Sequence, residues 1–567
     1  MYLFHVLHSF VPLLNPIGFG AADFIELILT LVVVALALMS RPLLEPLSRR
    51  LAMKTGWCML LLAALPILLR LALLPQYPVP TPLVADDFSY LLSADTLRHF
   101  RLANPAHPLH QFFETFFVLQ QPTYSSIFPL GQGMVIALAW SLFGHPWAGV
   151  ALSVGVMCAL CYWMLRAWTT PVWALIGGML AVVEFGALSQ WMNSYWGGAV
   201  SACAGCLVFG ALPRLRDEGR TRDAALLGLG LGLQVLTRPY EFLFVVASVI
   251  VFFAPAWRKL ARPALATALA MAPAFLLILF QNRAVTGSWT TLPYMLSRYQ
   301  YGVPTTFTFQ PNPTPHSQLT QEQQLGYEAQ SDVHGPGVDS WTAYWTRWAG
   351  RIRFYRFFFL APLYLALLAF LPALREFRFV WLAATVFLFS LGTNFYPYFY
   401  SHYIAALTCL FVLVSVVGLE RLSRWTIRAQ PVGEQCARIL LFLCVAHFIF
   451  WYGLHASRNE DLYRAMTPYE TWDAINHGDP EGRIAIGSEL QAAPGKQLVF
   501  VRYSPQHQFQ EWVYNAANID QAPIVWARDL GPQENQRLLR YYPDRTPWLL
   551  EPNAKPPRLR RYPPSGE

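Results

Sequence analysis

Long apolar runs recur along this chain, separated by short polar segments. A helix that crosses a bilayer needs about 20 mostly apolar residues. By this measure the predicted spans are 22–40, 55–75, 148–166, 171–189, 196–212, 223–238, 241–256, 263–281, 357–373, 379–392, 403–419 and 438–454. The run 128–144 contains Gly131, Gln132 and Gly133 near its start, and counting it as a span would break the charge pattern of the loops. We therefore predict a helix lying in the interface. The pattern predicts an α-helical polytopic membrane protein with about 12 TM helices.

Every second loop between these runs is basic. The basic loops are 41–54, the turn at Arg166, 213–223, 257–263, 374–378 and 420–438. Because short cytoplasmic loops are enriched in Lys and Arg, we place them inside. Both termini, the large loop 76–147, the long loop 282–356 and the tail then lie outside. We expect a bacterial inner (plasma) membrane protein with its polar mass on the periplasmic face.

The chain after residue 455 has a different pattern. KQLVFVRY (496–503), APIVWARDL (522–530) and TPWLL (546–550) are typical of short buried strands, and 533–541 of a short helix. We therefore predict three parts: 1–54 with an extra span and a cytoplasmic loop, 55–455 as the transmembrane module, and 456–567 as a small α/β domain outside the membrane.

Composition narrows the class of protein. The 567 residues are 55% hydrophobic and only 13% charged, against roughly 25% charged in soluble chains. This excludes a soluble enzyme and a disordered chain. The net charge of +8 lies mostly in short loops, so membrane lipids, and no nucleic acid, are the expected contacts. Neither a Walker motif nor a GxGxxG after a strand occurs, and no cofactor is expected.

The segment VADDFSYLLSADTL (84–97) directly follows the second predicted span. Asp86 and Asp87 are adjacent acids at the membrane edge, where mutual repulsion and low dielectric raise the pKa of one of them. Such a carboxylate suits a general base for a hydroxyl. The alternative is a helix N-cap, since Asp before an amphipathic helix accepts backbone N–H bonds.

This segment resembles the glycosyltransferase C (GT-C) superfamily, in particular the protein O-mannosyltransferases and the lipid A aminoarabinose transferases. The matching residues are Asp86, Asp87 and Tyr90, then PTYSSIFPLGQG (122–133), FGHPW (143–147) and LTRPYE (236–241). The resemblance covers roughly 55–420, within the predicted module 55–455. The chain lacks the mannosyltransferases' soluble repeat domain, which leaves donor sugar and acceptor open.

The resemblance implies an inverting transfer of a sugar from a polyprenyl-phosphate donor to a hydroxyl of a glycolipid, glycan or protein, on the outer face. Asp86 would be the base, and Asp87 would orient it or bind the acceptor. Arg238 is the candidate for the donor phosphate, with snorkelling to headgroups as the alternative. Tyr90 would contact substrate. Further outer cations that could bind phosphate or anionic lipid are Arg283, Arg298, Arg347, Arg351, Arg353 and Arg356.

Two outer segments combine polar and aromatic residues. In QWMNSYWGGA (190–199), Asn193, Tyr195 and Trp196 are candidates for a sugar site; in TNFYPYFYSHY (393–403), His402 and Tyr403 are candidates for contact with phosphate or acceptor. An interfacial aromatic belt is the alternative for both. Some GT-C enzymes use a divalent ion with Asp-x-Asp; the acids here are adjacent, so a metal is possible but not favoured.

The competing function is a lipid or glycolipid transporter or flippase of the cell envelope. It predicts charges in the middle of spans and broken helices in paired positions. Few mid-span charges and one-sided loops favour the enzyme.

Overall fold

Helices dominate the computed structural model, which describes residues 21–39, 50–254, 261–457, 482–507 and 510–563. In chain order they are α1 (Ala21–Met39), α2 (Thr55–Ala72), α3 (Ala85–Arg98), α4 (Leu130–Phe143), α5 (Trp147–Leu165), α6 (Pro171–Phe185), α7 (Ala199–Glu218), α8 (Thr221–Thr237), α9 (Pro239–Phe253), α10 (Ala261–Thr286), α11 (Pro293–Tyr301), α12 (Gln321–His334), α13 (Trp341–Arg351), α14 (Tyr364–Phe370), α15 (Phe377–Thr393), α16 (Thr408–Ser423), α17 (Val432–Ala456), α18 (Arg483–Ala492) and α19 (Pro532–Tyr541).

Six helices in the described ranges are long and apolar enough to cross a membrane, or seven if one bent pair forms a single span. Five further apolar helices are 10–17 residues long, among them α4, the predicted interfacial helix. The protein is thus a mostly helical membrane protein, whereas the predicted count of about twelve spans is not confirmed. The first 20 residues and much of the basic loops 41–54 and 257–263 lie outside the described residues.

The predicted single span 357–373 is wrong as one continuous α-helix. This stretch runs through 3₁₀ turns at Ile352–Phe358 and Ala361–Leu363, then α14, then a 3₁₀ turn at Leu371–Arg375. The halves on either side of the break meet at 108°. Pro362 and Pro372 lie in the 3₁₀ turns that flank α14, and proline removes a backbone donor and clashes with the preceding turn. The apolar pattern therefore continues where the helix does not.

Among the residues that the structure describes, two small sheets accompany the helices. In the first outer loop, β1 (Asn104–Pro105), β2 (Val118–Leu119) and β3 (Thr123–Ser126) pair antiparallel in the order β1-β3-β2. In the tail, β4 (Lys496–Val501), β5 (Ile524–Arg528), β6 (Arg545–Glu551) and β7 (Arg558–Arg561) form a sheet in the order β5-β4-β6-β7. Its first three strands are parallel, and β7 is antiparallel to β6.

The tail elements predicted from apolar runs are confirmed as β4, β5, β6 and α19. Strand β7 was not predicted, because its sequence RLRR is mostly charged and sits on the exposed edge of the sheet. The domain boundaries stay a prediction, since 458–481 lie outside the described residues.

Two of the four apolar clusters among the described residues connect the parts of the architecture that surround α3. The larger lies between the helices from α2 to α17. A smaller one joins Phe88 and Leu92 of α3 to Leu498 and Phe500 of β4 and to Tyr514. Burying a large apolar side chain contributes roughly 1.5–3 kcal/mol. The tail domain therefore shares an apolar cluster with α3, the helix that carries Asp86.

Candidate functional site

A cavity of about 520 Å³ opens beside the first turn of α3, a size typical of small-molecule sites. Its walls include the start of α3, the junction of α8 and α9, residues 294–307 and residues 396–403. Further lining residues are Phe116, Phe117, Phe128, Pro129, Trp196, Gly326 and Gln330. The polar and charged residues that line it are Asp86, Tyr90, Trp196, Thr237, Arg238, Tyr240, Glu241, Tyr294, Arg298, Gln330, Tyr396, Tyr398, Tyr400, His402 and Tyr403. Segments far apart in sequence thus bring two acids, two arginines and a histidine to one cavity.

Arg238 occupies a break between two helices. The backbone there has φ −142° and ψ 81°, between the end of α8 and the start of α9. Pro239 explains the break, because a proline disfavours the α conformation in the residue before it and begins a helix well. Irregular backbone at a membrane edge is tolerated where it lines a cavity. The Arg-Pro pair thus places the guanidinium at the cavity wall.

The GQG segment at the start of α4 joins three parts of the site. A Cβ on Gly131 would lie 2.3 Å from Thr237 Oγ1, and one on Gly133 would lie 2.5 Å from Ser93 Oγ. Both positions therefore need glycine for close approach. Between them, Gln132 Nε2 donates to the carbonyl oxygen of Tyr195 at 2.9 Å. This short motif fixes α3, the 190–198 loop and the Arg238 junction relative to one another.

The two adjacent acids have different surroundings. Asp86 is half-buried and lines the cavity. Asp87 is buried, and its carboxylate accepts backbone N–H bonds from Tyr195 at 2.7 Å, Leu83 at 3.1 Å and Val84 at 3.4 Å. Asp87 thus satisfies the N-terminal turn of α3 in the manner of a helix cap. Asp86 faces the open space.

Burial raises the pKa of Asp86 to about 6, although the nearby Arg238 charge opposes the shift. Burial raises the pKa of Asp87 to about 7, against the three N–H groups that favour its ionised form. The pKa of Tyr90 rises to about 12 for the same reason. The cavity therefore holds a carboxyl that changes charge near neutral pH, which suits a general base.

Arg238 lies among acids and aromatic rings. Its guanidinium carbon is 4.9 Å from the ring centre of Tyr403, and the carboxylates of Asp86 and Glu241 interact with its charge. Among the described residues, no side chain or carbonyl accepts a hydrogen bond from its guanidinium. The other lining arginine differs, since Arg298 donates to the carbonyl oxygens of Pro304 at 3.0 Å and Thr305 at 2.8 Å. Arg238 keeps its donors free for a ligand.

Aromatic rings of residues 396–403 and Trp196 form another part of the cavity wall. His402 lies with its ring centre 4.7 Å from Trp196 and 4.6 Å from Tyr403. Arg351 holds this wall in place by donating to the carbonyl oxygens of Thr393 at 2.8 Å and Pro397 at 2.9 Å. Arg351 thus supports the backbone of the wall, a use that the sequence did not indicate.

Seven of the residues that the sequence offered as site candidates lie at the cavity wall: Asp86, Tyr90, Trp196, Arg238, Arg298, His402 and Tyr403. Asp87, Asn193, Tyr195 and Arg283 do not line it. Asn193 accepts from Nε of the fully buried Arg70 at 2.7 Å, and the Tyr195 hydroxyl donates to Pro80 O at 2.9 Å. These bonds hold the loop beside α3. Arg283 is exposed at the end of α10 and donates to Gly287 O.

Sequence reasoning did not single out Glu241, Tyr240 or Tyr396, which also line the cavity. Glu241 lies three residues after Arg238, and residues three apart near a helix start share a face. That spacing in LTRPYE was the available signal. Tyr396 lies in a stretch whose aromatic residues fit an interfacial belt equally well, so its pattern did not distinguish it.

Within the described part of the chain, no group of three or more His, Cys, Asp or Glu side chains could hold a metal ion. The expectation that no metal is needed stays a prediction.

No protein-family model matches the sequence, and no curated protein matches it. The fold is similar to that of ArnT from Cupriavidus metallidurans bound to undecaprenyl phosphate, at 11% identity and a TM-score of 0.47 over 88% of this chain and 93% of that one. It is also similar to the Archaeoglobus fulgidus oligosaccharyltransferase AglB in complex with an inhibitory peptide and a dolichol-phosphate, at 11% identity and a TM-score of 0.41 over 88% of this chain and 69% of that one. Both are GT-C glycosyltransferases, the group that the segment around Asp86 resembles. Each TM-score lies below 0.5, so the cavity's own geometry has to carry any functional proposal.

Proposed function

We propose that the protein is an inverting glycosyltransferase that moves a sugar from a polyprenyl-phosphate donor to a hydroxyl acceptor at the membrane surface. The observation that carries this proposal is the cavity arrangement of Asp86 and Arg238. One is a carboxyl poised to take a proton near neutral pH, and the other is a cation with no acceptor among the described residues. Sugar transfer from a lipid phosphate needs both groups in one space.

In this reaction the Asp86 carboxylate accepts the proton of the acceptor hydroxyl. The hydroxyl oxygen uses its electron pair to form a bond to the anomeric carbon. The bond from that carbon to the phosphate oxygen breaks, and its electron pair leaves with the polyprenyl phosphate. Attack from the face opposite the phosphate inverts the anomeric configuration.

Arg238 stabilises the charge that grows on the departing phosphate. A guanidinium matches phosphate oxygens with two parallel N–H bonds, and a water-poor cavity strengthens the interaction. The aromatic residues Phe116, Phe117, Phe128 and Phe307 also line the cavity, and they suit the apolar lipid and the C–H faces of a sugar.

The direct test compares cell-envelope glycolipids and glycans by mass spectrometry with and without the chain. The proposal expects one product to lose a sugar when the chain is absent and to regain it when the wild-type chain is supplied, but not with Asp86→Asn. Full restoration of that product by a well-folded Asp86→Asn protein would exclude the transfer mechanism and favour a transporter, which needs no base.

We further propose that the cavity and the tail face the outside of a bacterial inner membrane. The basic segment 213–223 favours a cytoplasmic position for the end of α7. Single-cysteine labelling with a membrane-impermeant maleimide tests this in a Cys436→Ser background, because the other native cysteines are buried. Asp332→Cys in α12 should label in spheroplasts and Glu218→Cys should not. The reverse result would invert the orientation.

A further inference from the structure

The back of α3 is covered by a segment of the tail that precedes β5. We call residues 511–518 the tail strap. It lies on the face of α3 opposite the cavity, although more than 400 residues separate the two segments in sequence. The strap contributes nothing to the sequence pattern around Asp86, so its role emerges only from the structure.

Tyr514 is the centre of this contact. Its ring stacks on Phe88 with 4.0 Å between ring centres and 10° between planes. Its buried hydroxyl lies 2.8 Å from the carbonyl oxygen of Phe116 and 3.1 Å from that of Ala85, and donates to this pair of acceptors. Ala85 immediately precedes Asp86, and both Ala85 and Phe116 line the cavity. Tyr514 therefore joins two pieces of the cavity wall from behind.

Further bonds tie the strap to the first outer loop. The N–H of Ala517 donates to Asp95 Oδ2 at 2.8 Å, at the other end of α3. Thr115 Oγ1 donates to Glu511 Oε2 at 3.2 Å. Arg483 of α18 donates to the Glu511 carbonyl oxygen at 2.8 Å and places its guanidinium 4.4 Å from the Phe88 ring centre. The strap is thus anchored along the whole length of α3.

We propose that Tyr514 is a positioning residue that sets where the Asp86 carboxylate sits in the cavity, and that the tail domain thereby acts on catalysis. This proposal rests on the proposed function. The carboxylate of Asp86 projects from the first helical turn, and its place is set by the backbone at Ala85. That backbone is fixed on one side by the bonds of Asp87 to Tyr195, Leu83 and Val84, and on the other by the Tyr514 hydroxyl.

The test compares Tyr514→Phe with Tyr562→Phe in the full-length protein purified in detergent. Tyr514→Phe keeps the ring stack on Phe88 and removes only the hydroxyl. Tyr562→Phe removes the hydroxyl of an equally buried tail tyrosine, which accepts from Asn535 Nδ2 at 3.1 Å and makes no hydrogen bond to α3 among the described residues. The pair therefore separates loss of a buried hydrogen bond in the tail from loss of the link to Ala85.

We expect kcat for sugar transfer to fall about tenfold in Tyr514→Phe with the donor KM unchanged, because small displacements of a reacting group cost rate. The acidic limb of the pH profile should move to lower pH, since a loosened Asp86 is better hydrated. Tyr562→Phe should change neither quantity. Equal kcat and an equal pH midpoint in both variants would overturn the positioning role.

Hydrogen–deuterium exchange of the peptide that covers 85–92 gives a measure that does not depend on turnover. Its amides should exchange faster in Tyr514→Phe than in wild type or Tyr562→Phe. If Tyr514→Phe does not accumulate, Asp95→Ala replaces it, since it removes the acceptor of the Ala517 N–H and should speed the same exchange. Unchanged exchange would overturn the proposal. A different result would be faster exchange in Tyr514→Phe together with a wild-type protein that transfers no sugar. That result would keep the link between the tail and α3 but refute the proposed function.

Discussion

The two faces of the first turn of α3 differ in how their polar groups are satisfied. On the side away from the cavity, which we call the frame side, Asp87 accepts three backbone N–H bonds. Arg70 supports the neighbouring loop by donating to Asn193 and to the carbonyl oxygens of Tyr77 and Pro78. On the cavity side, the Asp86 carboxylate and the Arg238 guanidinium lie near each other without comparable partners among the described residues. The same residue types thus occupy both faces with different outcomes.

Buried polar groups are costly unless they are hydrogen-bonded. The frame follows this rule and contributes stability. The cavity side departs from it, and such departures cluster where a ligand completes the bonding. Adjacent Asp86 and Asp87 differ in position relative to the cavity and not in chemical type. Under the proposed function, this difference in position separates the reacting group from the structural one.

The largest expected effect comes from making the same Asp→Asn substitution on each face of the first turn of α3. Asp86→Asn keeps the size of the side chain but cannot accept a proton, and we expect transfer to fall by about 10²–10⁴-fold. Its melting temperature should not fall, since burial disfavours the charge that the change removes. The measurements are initial rates of sugar transfer and thermal unfolding in detergent.

Asp87→Asn is the matched control. An amide nitrogen would face the backbone N–H groups that now bind one carboxylate oxygen, and an unsatisfied buried donor costs about 1–3 kcal/mol of folding free energy. We therefore expect a lower melting temperature and, at low temperature, an activity closer to wild type than that of Asp86→Asn. If Asp87→Asn proved as inactive as Asp86→Asn while equally stable, the division into frame and cavity would be wrong.

The next largest effect concerns donor binding. Arg238→Ala should weaken binding of undecaprenyl phosphate in nanodiscs by about 10–100-fold, the equivalent of losing charge-assisted hydrogen bonds worth roughly 1.5–3 kcal/mol. Arg238→Lys should restore part of it, because Lys lacks the planar fork. Arg283→Ala is the control, since that side chain is exposed away from the cavity. If Arg238→Ala and Arg283→Ala bound undecaprenyl phosphate with equal affinity, Arg238 would not be the residue that binds the phosphate.

The smallest effect is a dependence on pH. With the pKa of Asp86 raised to about 6, kcat/KM should be level above that pH and fall about tenfold per unit below it, because the protonated carboxyl cannot act as a base. Protonation of Asp86 and Asp87 does not unfold the protein, so acid unfolding at these residues cannot explain a loss of activity at low pH. Carboxyls whose pKa is raised by folding bind protons more tightly in the folded state, so acidification from pH 7 toward 4 stabilises it. A flat profile down to pH 5 would exclude Asp86 as the base.

The sequence predicted the structure well where a pattern fits only one physical interpretation. Apolar runs located most of the helices, and the acid pair after the second run located the cavity. The proline breaks in 357–373 were missed because apolar periodicity does not report backbone donors. Asn193 and Tyr195 lie in the loop beside α3, but the sequence could not tell that they bind Arg70 and Pro80 O instead of facing the cavity. Glu241 was overlooked because its partner Arg238 was considered alone.

The tail strap has a consequence for how the protein is made. The atoms that hold Ala85 from behind are joined across 429 residues of chain, so the first outer loop is synthesised long before its support exists. Contacts of such sequence separation form late because closing the intervening chain costs entropy. Until the ribosome has released the last fifth of the polypeptide, α3 lacks its backing. Under the proposed positioning role of Tyr514, a newly inserted chain would therefore transfer sugar at its full rate only after its tail has folded.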